Sequence, residues 1–88
     1  VACVVNVLGA DRPGIVYRVT AILQEEGGNI IDLQTQVGGA AHRPVYAMVI
    51  DVELAGEERL EALRRRLAEA ARELSVEVSV RRSDTLTL

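Results

Sequence analysis

Apolar residues in this chain switch between a spacing of two and a spacing of three or four, in an order that few folds accommodate. Val1-Ala2-Cys3-Val4-Val5-Asn6-Val7-Leu8 is a short β-branched run and predicts a strand. The turn residues Gly9-Ala10-Asp11-Arg12-Pro13-Gly14 break it. Ile15, Val16, Val19, Ile22 and Leu23 then recur at helical spacing, predicting a helix over residues 13–26 that Gly27-Gly28 ends. From Asn29 to Val37 the residues alternate, with Ile31, Leu33, Thr35 and Val37 on one side and Ile30, Asp32, Gln34 and Gln36 on the other. This predicts a half-buried second strand. Residues 38–43 read as a loop, and Pro44 to Leu54 as a third strand with Tyr46, Met48, Ile50 and Val52 inward. After Gly56, Leu60, Leu63, Leu67, Ala70 and Leu74 mark the apolar stripe of a second helix, with Glu61 and Arg65 paired on its charged side. Val76, Val78 and Val80 alternate with Glu77, Ser79 and Arg81 in a fourth strand.

The order β-α-β-β-α-β predicts an α+β, ferredoxin-like sandwich. Its sheet is four-stranded and antiparallel, in spatial order 4-1-3-2, with both helices on one face. We expect one domain over residues 1–82 and a loosely ordered tail over 83–88. A chain of 88 residues buries little apolar surface by itself. One cysteine and one histidine supply neither a disulfide nor a metal cluster, so association with a partner is the expected remedy. Val1 rather than Met at the first position predicts a piece of a longer protein.

Strands one and three are central in this topology. Their outward residues are Val4, Asn6 and Leu8, then Val45, Ala47 and Val49, while the edge strands turn Asp32, Gln34, Gln36, Glu77 and Ser79 outward. An apolar strip along the middle of an open sheet face calls for a cover: a second protomer, another domain or the tail. The alternative is that β-branched residues sit there only because strands favour them.

Several functions are disfavoured. A net charge of −3 argues against a phosphate-binding face, and Arg64-Arg65-Arg66 reads as a solvated helix face, so no direct nucleic-acid binding is expected. The central strands turn no aromatic outward to stack bases, Tyr46 being assigned inward. No apolar run approaches the length of a membrane helix, and a cytoplasmic location is the default expectation. Cys3 reads as a small core residue and His42 as a solvated loop residue, leaving no nucleophile with a neighbouring base. Arg12 has no companion for phosphate-ester chemistry. We expect no catalytic residues, no cofactor and no metal.

The informative segment is Asp11-Arg12-Pro13-Gly14-Ile15. A strand ends there and a helix begins with free N–H groups that favour a carboxylate. Asp11 is placed either to cap that helix or to pair with an ammonium group. Together these match a zwitterionic amino acid, although Asp-x-Pro-Gly is equally an ordinary helix start.

Asp11-Arg12-Pro13-Gly14-Ile15-Val16, followed by a helix and Gly28-Asn29-Ile30-Ile31-Asp32, resembles the signature of the ACT domain family. The likeness covers residues 1–82 and is nearest to the ACT domains of glycine-cleavage-system repressor-like proteins and formyltetrahydrofolate deformylase. The resemblance implies regulatory binding of a small amino acid, glycine or serine, between two ACT domains in a homodimer or a tandem pair. It implies ligand contacts from Asp11, Arg12, Pro13, Gly14, Ile15, Asn29 and Ile30. Serine-sensing members carry a histidine two residues before the Asp11 position, where this chain has Gly9. Three readings stay open: a ligand sensor coupled to a partner, a ligand-free dimerisation module, and a regulatory appendage of a larger metabolic enzyme.

Overall fold

The computed structural model describes residues 1–10, 14–40 and 43–83. Six elements follow one another: β1 (Ala2–Ala10), α1 (Ile15–Glu25), β2 (Asn29–Ala40), β3 (Arg43–Glu53), α2 (Glu57–Leu74) and β4 (Glu77–Arg82). The strands form one antiparallel sheet in the order β2-β3-β1-β4, the ferredoxin-like arrangement expected from the sequence.

The core lies between the helices and one face of the sheet. Val5 and Val7 of β1 and Met48, Ile50 and Val52 of β3 meet Ile15, Val19, Ile22 and Leu23 of α1 and Leu60, Leu63, Leu67 and Ala70 of α2. Cys3 belongs to this core and is buried, as its aliphatic neighbours in the sequence predict. The helices are also laced together at their surface. Arg66 of α2 reaches both Glu25 of α1 and its C-cap Glu26, the latter at 3.0 Å, and Arg18 pairs with Glu73. The two carboxylates hold the Arg66 guanidinium above its ordinary pKa, Glu25 contributing most, so it stays charged at any working pH.

Helix termini follow local chemistry. Gly27 adopts a left-handed conformation (φ 78°) as the chain leaves α1, and the next N–H, from Gly28, bonds the Leu23 carbonyl at 2.8 Å. α2 has Glu57 and Glu58 in its first turn and Arg72 in its last, opposing the helix dipole at both ends. Its C-cap is Ser75, a non-glycine residue held left-handed (φ 57°).

Three expectations need correction. Gly9 and Ala10, read as turn residues, continue β1 and pair with Tyr46 and Val45. The predicted loop over 38–43 is mostly hairpin, with pairing maintained to Ala40–Arg43. The expected half-burial of β2 is also not found: residues 31–38 are exposed, because the strand side chains that pack against the helices come mainly from β1 and β3. The strict alternation there is interrupted as well. A bulge between Ile30 and Asp32 leaves Ile30 partly buried against the core and Ile31 62% exposed. At the other end of the chain, β4 runs through Arg82 and the Ser83 N–H bonds the Ala2 carbonyl at 2.9 Å. His42 and residues 84–88 lie outside the described residues.

Candidate functional site

The resemblance assigns the ligand to the segment between β1 and α1 and to the start of β2. Asp11, Arg12 and Pro13 lie outside the described residues. Gly14 is the N-cap of α1, left-handed at φ 90°, a conformation that disfavours any residue with a β-carbon. It has no side chain with which to cap the helix, and its carbonyl accepts the Arg18 N–H at 2.8 Å. The first N–H groups of α1 have no intrahelical acceptor, as at every helix start, so they are available to an anionic group.

The Ile15 side chain is 1% exposed and belongs to the core, leaving only its N–H to contribute. Ile30 is likewise turned against the core. Asn29 is exposed at the first position of β2, opposite Glu53.

Gly14 and Asn29 stand at opposite ends of α1. Eleven helical residues separate them, roughly 16 Å of helix at 1.5 Å per residue. Within one copy of the chain these two parts of the expected site are therefore apart, and among the described residues the structure brings together only Gly14 with Ile15 and Asn29 with Ile30.

Among the described residues the strand that begins at Asn29, β2, is one of the sheet's two free edges, β4 being the other. β2 pairs only with β3, leaving its outer row of backbone groups open along 12 residues. Ile31 and Val37 are 62% and 63% exposed on it, and on neighbouring α1 Val16 and Tyr17 are exposed too. Sequence reading missed this patch because it placed Ile31 and Val37 on a buried face.

Shallow depressions occupy the sheet face away from the helices. One, of about 380 Å³, is lined by Gln34, Thr35, Gln36, Ala47 and Val49; another, of about 220 Å³, by Asn6, Leu8, Glu77, Val78 and Ser79. Among the described residues no group of His, Cys, Asp and Glu is arranged to hold a metal ion, and no helix is long and apolar enough to cross a membrane.

A match to the ACT domain family spans residues 2–81. The chain belongs to that family. ACT domains are generally regulatory domains that bind small molecules. A UPF0237 protein of Methanopyrus kandleri is 40% identical over 82 residues, covering 92% of this chain and 87% of that protein. Among solved structures, an unknown protein from Galdieria sulphuraria superposes with a TM-score of 0.85 at 25% identity, over 93% of this chain and 48% of that one. A glycine cleavage system transcriptional repressor, so described provisionally, gives 0.81 at 18% identity, over 99% of this chain and 48% of its own. A formyltetrahydrofolate deformylase from Pseudomonas putida shares the fold at 0.80 and 12% identity, over 94% of this chain and 29% of its own. The chain thus spans most of its UPF0237 relative but about half of the first two structures.

Among ACT domains, the Gly9 position has a physical explanation. A β-carbon built there would lie 2.6 Å from Val76 Cγ1 and 3.2 Å from the Val76 backbone. A histidine at this point of β1 would force the α2–β4 connection to move.

Proposed function

We propose that this domain is a regulatory sensor of a small amino acid, bound between two copies of the chain and coupled through their packing to a partner. The observation that carries the reading is the separation of Gly14 and Asn29 along α1. Two copies joined antiparallel along β2 would bring Asn29 of each toward the β1–α1 segment of the other. The exposed edge with Ile31, Val37, Val16 and Tyr17 supplies apolar surface for that contact. Helix-terminal N–H groups beyond Gly14 would take the ligand carboxylate and Asp11 its ammonium group. Glycine ranks ahead of serine, because the histidine of serine-sensing members has no room at Gly9. The domain carries no catalytic step in this reading, since Cys3 is buried and the site chemistry is that of binding.

Isothermal titration of the purified domain with glycine, serine and the branched-chain amino acids tests this, with its mass followed by light scattering. Saturable heat on a dimer supports the sensor. No heat from any of them, on a folded dimer, rejects it. The long free edge of β2 would then favour the second reading, a module that only associates.

A further inference from the structure

The sheet face away from the helices carries an apolar strip with unpaired charges of opposite sign on its two flanks. Register fixes its rows. Arg81, Val4, Asp51 and Asp32 lie across the sheet in one row, Ser79, Asn6, Val49 and Gln34 in the next, and Glu77, Leu8, Ala47 and Gln36 in a third. Leu8, Val45 and Val49 are 45%, 40% and 39% exposed on the central strands. Asp32 and Asp51 stand directly opposite each other, where like charges repel. The Gln34 amide, 3.4 Å from Asp32, is the polar neighbour recorded there, and among the described residues Arg81 has no ion-pair partner.

We propose that this face is a sheet-on-sheet interface between two copies of the chain, related by a two-fold axis parallel to the strands between β1 and β3. That operation lays β4 of one copy over β2 of the other and β1 over β3, row for row. Arg81 then arrives over Asp32 of the partner, next to its Asp51, while Glu77 meets the amide of Gln36, Ser79 meets Gln34, Leu8 packs on Ala47, and Val4 and Asn6 come over Asp51 and Val49. The polar flanks thus meet their complements, around an apolar centre made by Leu8, Ala47 and Val49. Aligned sheets stack in this way about 10 Å apart. β1 and β3 overlay along nine residues and β4 and β2 along six, which at about 3.3 Å per residue and about 4.8 Å per strand gives roughly 480 Å² per copy, or about 950 Å² for the two faces, the size of a weak, exchangeable association. The interface is independent of the β2 edge.

Sedimentation equilibrium on the whole chain tests the proposal, with circular dichroism as the folding control. Val49→Glu and Arg81→Glu are each expected to halve the wild-type mass. The double variant Arg81→Glu/Asp32→Arg is expected to restore it, because the swapped charges meet again across the two-fold. Arg81→Glu changes an exposed edge residue and keeps the test valid if Val49→Glu does not fold. A wild-type monomer, or an unchanged mass in Arg81→Glu, overturns the proposal and leaves the face to a different domain. Halved single variants that the charge swap fails to restore overturn the register.

Discussion

Gly9 and Val76 approach so closely that a β-carbon on residue 9 would lie 2.6 Å from Val76 Cγ1. Residue 9 is on β1 and residue 76 at the turn from α2 into β4, so this contact sets how tightly the last strand closes on the first. Substituting Gly9 with Ala is expected to destabilise the domain by about 1–3 kcal/mol through overpacking. Shortening the opposing side chain, Val76→Ala, should recover part of that loss in the double variant. Urea denaturation of the four proteins in the cycle measures the coupling; additive losses would mean that the two residues do not press on each other.

Ser75 ends α2 in a left-handed conformation, φ 57° and ψ 45°, its N–H donating to the Ala71 carbonyl, which also accepts the Val76 N–H at 3.0 Å. A side chain in that region costs on the order of 1–2 kcal/mol, and glycine avoids it at the expense of a more flexible unfolded chain. Ser75→Gly should therefore stabilise the domain by about 0.5–1 kcal/mol, raising Tm by about 2–8 °C for a domain of this size. A lower Tm in calorimetry would show that the Ser75 side chain makes a contribution larger than its backbone cost.

The fold was legible because its periodicity is local. The stripe of Leu60, Leu63, Leu67 and Ala70 and the alternation of Tyr46, Met48, Ile50 and Val52 both survive into the core assignment. What escaped was decided by tertiary placement. Nothing in Ile31-Asp32-Leu33 indicates that α1 leaves the β2 edge uncovered, so burial was overestimated there. Gly9 reads as a turn residue by type, yet it is a strand residue with no space for a β-carbon beneath Val76. Of the expected site, residue types alone suggest an amino-acid ligand, and only the length of α1 reveals that Gly14 and Asn29 stand apart.

The exposed apolar residues of the β2 edge give a direct test of the pairing. Val37 is 63% exposed and contributes little to the core, so Val37→Asp should leave the unfolding midpoint within about 0.5 kcal/mol of the wild type, as surface changes usually do. A charge placed in the row of β2 that meets a second β2 would oppose edge-to-edge association. The expected outcome is a loss of half the mass in sedimentation with an unchanged circular dichroism spectrum. An unchanged mass would remove the β2 edge from the assembly.

Because Gly14 and Asn29 lie at opposite ends of α1, a site that uses both ends must be completed by a neighbour, and mixing experiments can show it. Asp11→Ala and Asn29→Ala are each expected to abolish amino-acid binding in a dimer, since each copy supplies its altered residue to one of the two sites. In a mixed dimer both alterations fall in the same site and leave the other intact. An equimolar mixture allowed to exchange subunits should therefore regain about a quarter of the wild-type sites, half of the dimers being mixed and one of two sites working in each. Titration of the mixture with the amino acid that binds the wild type measures this stoichiometry, while the separate variants remain silent. A site built within one copy would regain nothing on mixing, because every copy would still carry one of the two defects.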